Sequence, residues 1–382
     1  MSESEPWARF RDQMPVTNHW SYLDHAAVAP LPKPSRDQLR DWCDDFAENG
    51  DANWLDWFRQ LQSVRANIAR MISASESEIA FIPNTTAGIN IVADGYPWKS
   101  GDNVVTFAGE FPSNSLPWLQ QQDRGVEVRR VESPDGRVDL NRISDACDDR
   151  TRLVAISWVG YASGWRIDVD AVCDLAHRRG ALVMLDAIQG LGVFPLNVRN
   201  TPVDFLAADG HKWMLGPEGA GVFYARAEHL NLLRPIGVGW NSAKSPFDFG
   251  KETFELKETA DRYEGGTLNS GGFLALGRSI DLLQQFGAGS DVSAVGERVI
   301  AIADYAVEKL LAADCHILSP RDAKHKSGIV TFAVVDENPE TIRSQCRAAG
   351  VIVSSRGGGV RISPHAYNNE ADIDRLVDVI CT

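Results

Sequence analysis

Short apolar runs alternate with helical patterns over nearly two hundred residues, and this alternation constrains the chain more than any other feature. Runs rich in β-branched and aromatic residues predict strands at Ile79–Ile82, Val104–Phe107, Val126–Val131, Leu153–Val159, Ala181–Asp186, Phe205–Asp209 and Gly221–Ala225. Between them lie stretches such as Asp168–Arg179, where Val169, Val172, Cys173 and Ala176 recur at helical spacing. Strands this apolar need cover on both faces, so the pattern predicts an α/β fold with an open, largely parallel sheet between helical layers. A polar connection follows, Asn241 to Asp261. Beyond it a helical tract (Gly272–Ala313), a strand (Ile329–Val334), a helix (Pro339–Ala349) and short strands around Gly357-Gly358-Gly359 predict a smaller α+β domain. The expected organisation is an N-terminal arm over 1–22 packing on the small domain, a large domain over 23–250 and a small C-terminal domain over 251–382.

A chain of 382 residues can support two such cores. Its net charge of -14 argues against nucleic acid or an anionic membrane as partner. No apolar run reaches the ~18 residues that cross a bilayer, and the acidic Met1-Ser2-Glu3-Ser4-Glu5 has no secretory character. The six cysteines (43, 147, 173, 315, 346 and 381) form no C-x-x-C pair, which fits a soluble protein of a reducing cytoplasm. Neither H-E-x-x-H nor a Cys/His cluster is present, so no metal is expected. Trp42, Trp54 and Trp57 read as packing or an oligomer contact.

Ligands of open α/β sheets bind beyond the carboxyl ends of the strands, and three polar segments fall there. Asn84-Thr85-Thr86-Ala87-Gly88 offers hydroxyls and N–H groups at a helix start, suited either to a phosphate or to plain capping. Asp186 ends an apolar strand, and Lys212, between His211 and Trp213, follows another 26 residues later. Desolvation there lowers a lysine's pKa and makes its amine a nucleophile toward an aldehyde. An Asp and a Lys, each closing its own strand, suggest pyridoxal phosphate. Lys212 takes the aldehyde as a Schiff base, Asp186 keeps the pyridine nitrogen protonated, and Thr85 and Thr86 receive the phosphate.

With those residues in place, the chain resembles the class V aminotransferase family of fold type I pyridoxal-phosphate enzymes. That family includes cysteine desulfurases, kynureninases and isopenicillin N epimerases. Tyr22-Leu23-Asp24-His25-Ala26-Ala27 is similar to Y-L-D-N-A-A, and Arg361 with Tyr367-Asn368 is similar to R-x-S and Y-N. Thr85-Thr86 resembles the G-T-T phosphate turn, and Asp186 with Gln189 resembles D-x-x-Q. His211-Lys212 resembles the H-K pair, and Gly265-Gly266-Thr267-Leu268-Asn269 is similar to A-G-T-P-N. The resemblance implies that Gln189 bonds the cofactor's phenolic oxygen, that His211 holds its phosphate and that Arg361 grips the substrate's α-carboxylate. It also implies that Thr267 reaches the phosphate of a neighbouring subunit, and hence a homodimer with shared sites.

The sequence also departs from the desulfurase pattern. Phe111 and Pro112 stand where desulfurases carry histidines; Phe111 can stack on the cofactor ring but cannot move a proton. Tyr161 replaces an Asn near the phenolic oxygen, and His25, in place of an Asn, is a candidate substrate contact. Asp209 stands where a phosphate-binding serine is usual and is expected to turn away or pair with His211. Ser354 to Arg361 carries no cysteine to accept sulfur, so the expectation is an enzyme other than a persulfide-forming desulfurase. The leading reading is aminotransferase-type chemistry on an amino acid. The alternatives are a C–S (β-elimination) lyase, an isopenicillin N epimerase-like epimerase, and a non-catalytic, cofactor-binding regulatory protein.

Overall fold

The computed structural model describes residues 5–248, 250 and 255–381. Residues 249 and 251–254 of the expected connection, residues 1–4 of the expected arm and Thr382 lie outside them.

The predicted apolar runs form one seven-stranded sheet. Named by first residue, its strands stand in the order 79, 221, 205, 182, 151, 103, 127. Neighbouring pairs from 205 to 127 are parallel, and Gly221–Ala225 runs antiparallel to both of its neighbours. Nearly every residue of Phe205–Asp209 and Gly221–Ala225 is buried, as strands covered on both faces require. One apolar layer packs Ile68, Ile156, Leu185, Leu206 and Phe273 on one face. A second packs Ile82, Ile89, Val92, Phe205 and Phe223 on the other.

The expected helix over 168–179 is observed as Val169–Arg178, with the Asp168 carboxylate accepting from the Ala171 N–H at 3.1 Å. The helical tract expected over 272–313 is made of two helices, Ser270–Gln285 and Ala294–Ala312. They are separated at Gly287, whose φ of +86° is open to glycine at little cost. The first of these helices packs against Lys33–Asn49 and Trp54–Met71 and contributes Phe273, Leu276 and Ile280 to the main core. The expected boundary at 250/251 therefore falls ahead of a helix that shares the larger body's core. Which core a helix's apolar face will meet is not written in its periodicity.

The second body is a four-stranded antiparallel sheet, with Ser354–Arg356 beside Gly359–Ile362, then Val330–Ala333, then His316–Ile317. It closes on the helices Ala294–Ala312, Pro339–Ala348 and Glu370–Ile380 through Ile302, Phe332, Ile342, Val360 and Leu376. Two elements tie the N-terminal segment to it. Ser21–Tyr22 pairs in parallel with Val351–Ile352, and Arg11 forms a bidentate ion pair with Asp372 at 2.7 and 3.1 Å. Phe10, on the helix Glu5–Asp12, stacks on Phe286 of the large body and meets Tyr367 edge-on. Among the described residues, no helix is long and apolar enough to cross a membrane.

Candidate active site

A cavity of about 280 Å³ opens where the carboxyl ends of four parallel strands converge. Ser157, Asp186 and Asp209 each end a strand, and Asn84 follows Ile79–Ile82. The cavity also takes in Phe111, Tyr161, Gln189, His211, Lys212 and Arg361.

Asn84 rather than Thr85 caps the helix Thr85–Gly95, its side chain accepting from Ala87 N–H at 2.9 Å. That leaves both threonines in the first turn, where helix N–H groups are unsatisfied and favour an anion. Gly88 brings this turn against the sheet, since a Cβ there would lie 2.6 Å from the Ala207 Cβ. The Thr85 hydroxyl accepts from the Asp209 N–H at 2.9 Å, and the Thr86 hydroxyl bonds Ser113 at 2.8 Å. Asp209 does pair with His211. One carboxylate oxygen takes the Gly210 N–H at 2.7 Å, and the other lies 2.8 Å from His211 Nδ1.

Asp186 and Lys212 face each other across the cavity in low dielectric. Burial pushes the Asp186 carboxyl up to about 6, against the Ile188 N–H and the charge of Lys212, which both lower it. Burial also pushes the Lys212 amine down to about 8, opposed by Asp186 and reinforced by Arg361. The Lys212 Nζ lies 5.7 Å from the ring centre of Phe111, which is 42% exposed and meets Tyr161 edge-on at 5.2 Å. Gln189 donates to the Ala26 carbonyl at 3.0 Å and accepts from Trp213 Nε1 at 2.8 Å, so its amide is held rigidly at the cavity wall.

Arg361, only 2% exposed, is oriented by three acceptors. Its Nε donates to Ser354 Oγ at 3.2 Å, and its terminal nitrogens donate to the Tyr161 carbonyl at 2.8 Å and Asp24 at 3.1 Å. A guanidinium fixed in this way presents its remaining donors as a preset fork.

Two of the residues singled out from the sequence stand outside the cavity. His25 is fully buried behind it, with Nδ1 2.8 Å from the Ser363 carbonyl and Nε2 2.7 Å from the Tyr367 hydroxyl. The candidate substrate contact is thus a core histidine, because both ring nitrogens are engaged away from the cavity. Thr267 is exposed on a surface segment and does not line this chain's own cavity. Conversely, sequence reasoning gave no role to Ser113, Ser157 or Arg356, all of which line it. Serines carry no motif, and only the fold brings these to one place. Elsewhere, Asp204, Glu228 and His229 bring donor atoms within 4.8 Å of one another, a grouping from distant positions that no local spacing displays.

The residues present fit pyridoxal phosphate. A buried carboxylate faces a desolvated amine, and a helix start with two hydroxyls offers an anion cradle. Fold and site together define a fold type I pyridoxal-phosphate enzyme.

The sequence profile described as Aminotransferase class-V matches residues 21–376, and the chain belongs to that family. Its cofactor is pyridoxal phosphate. A probable cysteine desulfurase of Methanothermobacter thermautotrophicus is 32% identical, the match covering 97% of this chain and 96% of the relative. An uncharacterised aminotransferase of Bacillus subtilis is 26% identical, with 97% and 96% covered. The solved cysteine desulfurase of Thermococcus onnurineus superposes with a TM-score of 0.89 at 27% identity, over 98% of this chain and 96% of that one.

The relatives named as cysteine desulfurases overturn the expectation that the chain is not a desulfurase. That expectation rested on one hairpin without a cysteine and two replaced histidines. Residues on a single hairpin do not decide which thiol reaches a cavity, whereas the similarity to named cysteine desulfurases spans nearly the whole chain. The same finding places aminotransferase-type chemistry behind cleavage of a C–S bond.

Proposed function

We propose that this chain removes sulfur from cysteine or a cysteine-type amino acid by breaking its C–S bond. The similarity to cysteine desulfurases over nearly the full length carries this reading. The cavity supplies residues suited to it. Bound pyridoxal phosphate offers an aldehyde for an amine and a ring that accepts electrons from a substrate's Cα.

In this reading Lys212 would hold the cofactor's aldehyde, and its amine, already pushed down to about 8, would move the substrate's Cα proton. Asp186 keeps a proton on the pyridine nitrogen. Gln189 and Tyr161 would meet the phenolic oxygen, and Phe111 would pack on the ring. Thr85, Thr86 and His211 hold the phosphate, with Thr267 of a second copy completing it in a homodimer. Arg361 takes the substrate's α-carboxylate in its fork.

Among the described residues no cysteine lines the cavity. That observation favours a second reading within the same chemistry, β-elimination, in which sulfur leaves without a protein acceptor. Products decide between the two. Cysteine supplied with a small thiol gives alanine and thiol-bound sulfur in the first case, and pyruvate, ammonia and sulfide in the second. Release of neither form of sulfur contradicts the proposal.

A further inference from the structure

We propose that Glu110 and Ser157 form a proton relay that joins a second cavity to the candidate active site. The second cavity, of about 170 Å³, is lined by Gly109, Glu110, Ser133, Ser163 and Trp165, with Gly109 exposed at its edge. It shares two residues with the main cavity, Ser157 and Tyr161. Ser157 ends the strand Thr151–Ser157, directly beside Asp186 in the sheet register.

The carboxylate of Glu110 is bound to Ser157 twice, accepting from its N–H at 2.7 Å and from its hydroxyl. One hydroxyl therefore stands between the carboxyl of the second cavity and the interior of the first. A carboxylate makes Ser157 an acceptor toward the main cavity. A protonated Glu110 donates to Ser157 Oγ instead and frees the serine's own proton to point inward.

The relay moves one proton and no electrons. Solvent protonates Glu110, the Glu110 O–H proton passes to Ser157 Oγ, and the serine's original proton passes to a basic atom of the substrate bound in the main cavity, leaving Glu110 a carboxylate ready for the next proton. The charged group facing Glu110 from the adjacent strand is Asp186. Ser157 is its neutral hydrogen-bond partner, and Tyr161 is the ionisable side chain on the shared wall. Burial, with Asp186 adding to it against the bonds from Ser157, pushes the Glu110 carboxyl up to about 7. Both protonation states are thus within reach at neutral pH, as a relay requires.

The inference rests on the proposed reaction only in that a proton must enter the cavity, and its test separates the two. In cofactor-free protein, the infrared carboxyl stretch of a protonated buried acid titrates near pH 7 and vanishes in Glu110→Gln. In the holoenzyme turning over cysteine, Glu110→Gln lowers kcat by about tenfold or more with KM little changed. It also abolishes the fall in rate as pH rises through about 7. Ser157→Ala behaves as Glu110→Gln does, and Ser157→Thr, which keeps the hydroxyl, restores the wild-type profile. The serine pair decides the matter if Glu110→Gln fails to fold. An absent infrared band, an unchanged pH profile in Glu110→Gln, or equal kcat in Ser157→Ala and Ser157→Thr overturns the relay. A titrating band in protein that does not release sulfur from cysteine refutes the proposed substrate and leaves the Glu110 protonation intact.

Discussion

Replacing Arg361 with lysine tests the substrate-binding assignment without unfolding the site. Three of the five guanidinium donors are committed to Ser354, Tyr161 and Asp24, which leaves one N–H on each terminal nitrogen to meet a carboxylate. Hydrogen bonds to charged groups contribute about 1.5–3 kcal/mol each. Lysine keeps the positive charge beside the buried Asp24 but meets a carboxylate as a single point, so one of the two bonds is lost. The expected cost is about 2–3 kcal/mol, roughly 30- to 160-fold in kcat/KM. Alanine is a poorer test, because an unpaired Asp24 costs about 3–5 kcal/mol of stability and confounds the reading. The assay is sulfur release against cysteine concentration, with the visible absorption of the bound cofactor as control. Arg361 is not assigned to the cofactor, so Arg361→Lys retains that absorption. A variant within threefold of wild type in kcat/KM, or one that loses the cofactor, refutes the assignment.

Further outcomes follow from the same geometry. The Lys212 amine, pushed down to about 8, attacks an aldehyde only when neutral, so cofactor loading into cofactor-free protein quickens as pH rises through about 8 and then levels. An unfolded chain binds that proton more tightly, so the cofactor-free fold gains stability between about 8 and the usual lysine value; a loading rate flat from pH 7 to 9 contradicts this. On the proposed assignment of Asp186 to the pyridine nitrogen, Asp186→Asn lowers turnover by about 10- to 100-fold with cofactor still bound, read by kcat and absorbance together. Arg65 and Glu264 form a buried bidentate pair at 2.6 and 3.1 Å, and Glu264 also accepts the Phe81 N–H at 2.7 Å. Arg65→Ala therefore costs about 3–5 kcal/mol in denaturant unfolding, because it leaves a buried carboxylate unpaired. On the proposed reading, in which Thr267 of a second copy completes the phosphate site, the protein sediments at twice the chain mass.

The sheet was legible because strands buried on both faces write themselves as unbroken apolar runs. The carboxyl ends of those runs then point to Asp186 and Lys212. Direction was less legible. Gly221–Ala225 is as apolar and buried as the sheet's parallel strands, and only the short link after Asp209, with no helix for a crossover, marks it as antiparallel. His25 sits in a motif that borders the cavity, yet side-chain direction turns it inward onto Ser363 and Tyr367. Glu110 and Ser157 lie 47 residues apart and meet through strand pairing, a contact that no linear spacing reveals. The reaction was the least legible part, since one lysine on one ring serves transamination, elimination and desulfuration alike.

The central claim is tested most directly by supplying the pyridoxal-phosphate-loaded protein with cysteine and a small thiol, then measuring released sulfur and its carbon co-product together. The account predicts sulfur released in equal amount with alanine or pyruvate, and none from Lys212→Ala. Cysteine consumed with its sulfur still attached, the amino group having passed to a keto acid, would contradict it.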